Sequence, residues 1–135
     1  MSATLAQDAT RARGTGKAAN VALWVLQVAA AAMLGMAGFA KLTGNPDMVA
    51  MFDAIGVGQW FRYATGGLEV LGAILLLVPA LAGAGALMLA GVMAGAILTH
   101  LFVIGGSPAI PLVLLIVLAI IAYARRERTL RLLGR

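Results

Sequence analysis

The chain has no cysteine, a single histidine and only five acidic residues in 135 positions, and each shortage removes a class of chemistry. Without thiols there is no disulfide framework, no thiolate nucleophile, no iron–sulfur cluster and no zinc–thiolate site. One histidine cannot build a bis-histidine haem site. The seven methionines sit where they pack as ordinary core, and Met93, seven residues before His100, reads as coincidence rather than ligation. No metal, haem or iron–sulfur cofactor is therefore expected. There is also no glycine-rich phosphate loop and no credible serine–histidine–acid arrangement.

Charge is scarce as well. Only 11% of residues are charged and 62% are hydrophobic, against about 25% and 45–50% in an ordinary soluble domain. A soluble chain of this length has no interior large enough for that much apolar surface, so lipid must cover it. The net charge of +5 is not a nucleic-acid footprint, because eight of the ten basic residues flank the outermost apolar stretches. Arg11, Arg13 and Lys17 precede the first; Arg125, Arg126, Arg128, Arg131 and Arg135 follow the last. Membrane proteins mark cytoplasmic flanks in this way.

Four apolar stretches predict four spans: Val21 to Ala40, Trp60 to about Leu77, Leu81 to about Gly105, and a shorter one from Pro108 or Pro111 to Tyr123. The first carries no charge and, at about 1.5 Å per residue, spans about 30 Å of hydrocarbon. It also exceeds the ~7–15 residues of a signal-peptide core, so an uncleaved span is expected. Proline is tolerated in a first helical turn, which suits Pro108 and Pro111, and Arg125 and Arg126 can snorkel to complete the last span. Residues 1–19 read as a disordered basic tail, 20–124 as the membrane domain and 125–135 as a second basic tail. The fold expected is an all-α integral membrane protein: a compact bundle of four transmembrane helices with a short interfacial helix between the first two.

That short helix is announced by Asn45-Pro46-Asp47, a cap, a proline and an acid at the positive end of the helix dipole. Met48, Phe52 and Ile55 follow on one face, and Gly56 can end the helix. It can serve as a lid or simply float on lipid; the second is the simpler expectation. Small residues supply packing surfaces: Ala82, Ala86, Ala90 and Ala94 with Gly91 and Gly95 in span three, Gly35 and Gly38 in span one, and Gly66, Gly67 and Gly72 in span two.

Lys41, Glu69 and His100 are ionisable residues within three different apolar stretches, and a charge in a bilayer costs several kcal/mol unless partnered or hydrated. Helical rise puts Arg62 about 3 Å, His100 about 7 Å and Glu69 about 13 Å below the outer boundary, with Lys41 near the boundary itself. Side chains lean toward the helix N-terminus, so Glu69 and His100 tilt toward each other across spans that run in opposite directions. Arg62 shares the Glu69 face and can add positive potential. Thr65 and Thr99 lie nearby as hydrogen-bonding groups, and Gln27 lies in the inner half.

At these residues the chain resembles a known family. Gly38-Phe39-Ala40-Lys41-Leu42, Met51-Phe52-Asp53-Ala54-Ile55-Gly56, Gly67-Leu68-Glu69-Val70-Leu71-Gly72 and Leu98-Thr99-His100, in that order and spacing, resemble the DoxX and DoxX-like family over about Trp24 to Ala124. The resemblance implies a small multi-pass protein of the bacterial inner membrane, with both termini cytoplasmic as the basic flanks require. It further implies a membrane subunit of a quinone-linked oxidoreductase or redox-defence complex. Glu69 and His100 would then be catalytic and would relay protons, Lys41, Arg62, Thr65 and Thr99 would bind a quinone-like ligand in an outer-half pocket, and electrons would come from a partner protein. Whether the chain is itself an enzyme is left open. The alternative is a non-catalytic lipid-binding or assembly subunit, associated with membrane lipid, a larger complex or further copies of itself.

Because the chain has no native thiol, topology is testable with single cysteines. Ser2→Cys and Gly134→Cys should resist a membrane-impermeant maleimide added from the periplasmic side, while Asp47→Cys should react. The opposite pattern would invert the bundle.

Overall fold

The computed structural model describes residues 2–134, with side-chain environments for all of these except residues 2 and 6–15. Six α-helices and one π-helical turn are present among the described residues: α1 (Ser2–Leu42), α2 (Pro46–Ile55), α3 (Trp60–Leu76), α4 (Ala82–Thr99) continued by the π turn His100–Ile104, α5 (Ala109–Ala124) and α6 (Arg126–Leu132). No strand occurs among them.

The first helix is longer than its apolar stretch. The segment expected to be a disordered tail is helical from Ser2. It is rich in alanine, and it extends a helix that the apolar run has already nucleated, so only propagation is needed. Gly14 and Gly16 cost about 1 kcal/mol each in such a position, which weakens a helix without ending it. Arg11, Arg13 and Arg135, counted in the basic flanks, lie outside the described side chains.

Two segments are long and apolar enough to cross a membrane: Gly16–Leu42, of 27 residues, and Ala82–Ile104, of 23. Ala109–Ala124 and Arg126–Leu132, bent by 68° at Arg125, add a third if they form one span. α3 is also apolar but has 17 residues, short of the ~20 typical of a span. The outer surface requires lipid: Met36 and Phe39 of α1, Ile74 of α3, Leu98 of α4 and Ile116 of α5 all stand exposed. The true interior is small, with Leu34, Leu76, Leu89, Leu118 and Ile121 fully enclosed.

Packing runs in chain order, α1 on α3, α3 on α4 and α4 on α5, with a lighter contact between α5 and α1 closing the ring. Glycine decides how close the first two pairs come. A Cβ at Gly38 would stand 2.7 Å from the Gly66 carbonyl oxygen and 3.0 Å from the Glu69 Cβ. One at Gly66 would stand 2.9 Å from the Lys41 Cβ and 3.0 Å from the Gly38 carbonyl oxygen. α1 and α3 therefore touch backbone to backbone. Between α3 and α4, Gly72 receives the Leu89 side chain, and a Cβ at Gly85 would stand 2.7 Å from the Leu75 Cβ. Gly67, Gly91 and Gly95 differ, since a Cβ at each meets nothing within 4 Å. The glycines of span three that looked like packing surface are not in a helix contact.

α2 follows its sequence signals closely. The Asn45 side chain accepts from the Asp47 N–H at 3.0 Å, Pro46 opens the helix, and Gly56 closes it at φ 86°, in the left-handed region that disfavours a Cβ. Phe52 is 3% exposed and meets Phe61 edge-on at 5.7 Å between ring centres. The helix thus rests on the bundle rather than floating free of it.

The neighbouring glycines provide a matched test of the α1–α3 contact. Gly66→Ala should cost about 1–3 kcal/mol through overpacking against fixed backbone. Gly67→Ala, one position away in open space, should be neutral or stabilising by about 0.5–1 kcal/mol. Thermal unfolding of the two variants in mild detergent reads the difference; equal effects would contradict the close contact.

Candidate functional site

The contact at Gly38 and Gly66 brings Lys41, one turn beyond Gly38, opposite Glu69, one turn beyond Gly66. The Lys41 Nζ lies 2.8 Å from Glu69 Oε1, with the two side chains 13% and 2% exposed. It is the ion pair found among the described residues. Two charges in such surroundings are tolerated only because each neutralises the other.

The pair sits in the wall of a cavity of about 530 Å³. Otherwise that wall is almost wholly apolar, from Leu34 of α1, Leu68 of α3, Met88 and Met93 of α4 and Leu114 of α5. Gly91 and Gly95 line it too, and their missing side chains are what leave room between α4 and α3. α2 covers one side with Met48, Met51, Phe52 and Ile55. The lid arrangement, the less expected of the two at the outset, is the one adopted. A helix with one apolar face buries it on an apolar opening when one lies within reach.

His100 lines the same cavity at the first residue of the π turn. Its Nδ1 lies 2.8 Å from the Ala96 carbonyl oxygen. A carbonyl only accepts, so Nδ1 carries a proton and donates, which leaves Nε2 free of this contact. Single π turns inside α-helices are frequent at functional sites. This one was not anticipated, because no residue pattern distinguishes it from continued α-helix.

No hydrogen bond joins Glu69 to His100: the carboxylate is taken by Lys41 and the imidazole by Ala96. Both nevertheless line the same cavity. Thr65 and Thr99 are also in its wall, and the Thr99 hydroxyl donates to the Gly95 carbonyl at 2.8 Å.

Arg62 takes a different place. It is 5% exposed, outside the cavity wall, and its guanidinium donates to the Lys41 carbonyl and, at 2.6 Å, to Gln59 Oε1. Its charge lies 4.3 Å above the Tyr63 ring. It therefore holds the end of α1 that carries Lys41. Gln59, which sequence reasoning passed over, is the hub: its amide also donates to the Val49 carbonyl at 3.0 Å and to Asp53 Oδ1 at 2.8 Å. One side chain thereby ties α2 to α3 and, through Arg62, to α1. The available signal was an amide directly before a helix and three residues from an arginine.

Gln27 stands apart from this site. It is fully buried and donates to the Leu76 carbonyl at 2.8 Å, while its Oε1 accepts from Arg125 Nε at 2.8 Å.

The pair predicts its own mutant behaviour. Glu69→Gln leaves a largely buried ammonium uncompensated and should cost about 3–5 kcal/mol. Lys41→Met combined with Glu69→Leu removes both charges and should recover most of that loss. Melting temperatures of the single and double variants decide it; a double variant no better than the single would deny that the pair is what holds this region.

Comparison with curated proteins finds no match, and comparison with solved structures finds none. A family model does match, over residues 25–128, and its description is the DoxX-like family. That range holds Lys41, Glu69, His100 and every residue that lines the cavity. With apolar helices of spanning length and a family match across most of its residues, this chain is a membrane protein of the DoxX-like family.

Proposed function

We propose that the protein is the membrane subunit of a quinone-linked redox system in the bacterial inner membrane, and that the cavity beneath α2 receives a quinone-like ring. α1, α3, α4 with its π turn, and α5 make four spans, with α2 on the outer interface and both termini cytoplasmic. The observation that carries this reading is the Lys41–Glu69 pair in the wall of an apolar cavity of about 530 Å³ that also holds His100. Most ligand pockets have this character: apolar walls with a few convergent polar groups.

The residues fit such a ring. Its apolar body would lie against Leu34, Met93 and Leu114, and an isoprenoid tail would leave beside Gly91 and Gly95. Reduction of a quinone to a quinol takes two electrons and two protons, the electrons coming from a partner protein's redox cofactor. Lys41 can donate a hydrogen bond to a ring carbonyl, and the Thr65 and Thr99 hydroxyls can orient it. Glu69 and His100 can each hold a proton at the wall, His100 receiving it on Nε2. Arg62 contributes by fixing the Lys41 backbone rather than by touching the ring.

Purification in mild detergent followed by organic extraction should recover near-stoichiometric quinone. Gly95→Leu adds a side chain at a cavity-lining position where a Cβ meets nothing within 4 Å, so it should reduce retained quinone at least severalfold while leaving the melting temperature unchanged or higher. In the Lys41→Met/Glu69→Leu variant, stability should return and quinone should not. Absence of quinone from the native protein, or normal retention in both variants, would defeat the proposal.

A further inference from the structure

The cover over the cavity and the backbone of Lys41 are joined through one side chain. α2 lines the cavity with Met48, Met51, Phe52 and Ile55, so part of its apolar face meets empty space rather than other atoms. A face over a void forfeits dispersion contacts, which leaves polar ties a larger share of what seats the helix. Among the described residues, the hydrogen bonds that join α2 to the bundle all come from Gln59. Its Nε2 donates to the Val49 carbonyl at 3.0 Å and to Asp53 Oδ1 at 2.8 Å. Phe52, edge-on to Phe61, supplies the apolar part of the hold.

The chain on either side of α2 can turn. Gly44 precedes the helix at φ 76° and Gly58 follows it at φ 105°. Glycine in this region changes conformation with little steric resistance, and hinges are built from a few such positions next to a rigid element. α2 is thus a ten-residue rod between two pliant joints, with its polar hold at one point.

The other end of the Gln59 amide faces the helix that carries the ion pair. Oε1 accepts from Arg62 Nε at 2.6 Å, and Arg62 Nη1 donates to the Lys41 carbonyl. Lys41 is in the last turn of α1, where carbonyls have no intrahelical donor and a cation is favoured by the helix dipole. The connection therefore runs from α2 through Gln59 and Arg62 to the backbone of Lys41, whose Nζ meets Glu69 at 2.8 Å. The donor end of one amide serves α2, and its acceptor end serves α1.

We propose that Gln59 is a latch: it holds α2 closed over the cavity and, through Arg62, ties that closure to the placement of Lys41. It is a positioning residue and touches neither the ring nor the reacting atoms. The proposal rests on the reading of this cavity as a quinone site, and adds that exchange of the ring requires α2 to lift.

The two ends of the amide allow the latch and the Arg62 anchor to be separated. Gln59→Glu keeps an acceptor for Arg62 but loses both donors and sets a carboxylate against Asp53. In the full chain in mild detergent, without added ligand, hydrogen exchange of the α2 amides should quicken about tenfold, the scale of losing a hydrogen bond to a charged group. Exchange in α4 and the melting temperature should stay close to native. Release of bound decylubiquinone should quicken by a similar factor. Asp53→Asn alone should change little, because its side-chain oxygen still accepts from Gln59. Added to Gln59→Glu, it should return both rates toward native, since its amide can donate to the carboxylate. A merely structural role for Gln59 would not reverse on an exchange of donor and acceptor. Gln59→Leu removes both ends and should weaken decylubiquinone binding further than Gln59→Glu does, because Arg62 then loses its partner too. Unchanged α2 exchange in Gln59→Glu, no reversal by Asp53→Asn, or faster exchange with unchanged release would overturn the latch. Faster exchange that Asp53→Asn reverses, in a protein whose native form binds no decylubiquinone, would uphold the latch and defeat the quinone reading instead.

Discussion

The close contact between α1 and α3 is the constraint on which the rest depends. Two glycines, Gly38 and Gly66, remove the side chains that would hold these helices apart. In a bilayer nothing hydrophobic drives helices together, so close packing and polar contact have to supply the association. Here the two coincide. The backbone approach brings the Lys41 and Glu69 stems together one turn further on, and the 2.8 Å ion pair then closes over the contact. Without the glycines the ammonium and carboxylate would face one another across a wider gap; without the pair, the contact would carry an isolated charge on one helix.

The opposite use of glycine makes the cavity. On α4, Gly91 and Gly95 face open space rather than a neighbour, and they line the same cavity as the ion pair and His100. Small residues in one membrane protein therefore do two jobs. Gly38 and Gly66 let backbones meet, and Gly91 and Gly95 keep a space from being filled. α2 closes that space because its apolar face, Met48, Phe52 and Ile55, fits an opening that is itself apolar, and because Gln59 fastens it through Val49 and Asp53.

The two ends of the bundle are polar in different ways. At one, Lys41 pairs with Glu69, and Arg62 donates to Gln59 and a carbonyl. At the other, Arg125 is held by two amides and keeps a buried nitrogen without an acceptor.

Much of this could be read from the residues. The scarcity of charge and cysteine, the apolar stretches, the cap at Asn45, the turn at Gly56 and the isolation of Lys41, Glu69 and His100 in hydrocarbon are one-dimensional facts with direct physical consequences. They place the chain in a membrane and point to the side chains of the candidate site. Partner choice is a different kind of fact. Lean and depth along single helices suggested Glu69 with His100, but which helix face meets which depends on how closely two backbones approach, and that is set by packing over the whole contact. The same holds for Arg62, spent on a backbone carbonyl, for Gln59 as a hub, and for Arg125 turned inward to Gln27, 98 residues away in the chain. The amino-acid order determined which groups had to find partners, because burial makes an unpaired charge costly. Only the tertiary structure decided which partner each one found, because that depends on distances between helices that no local pattern encodes.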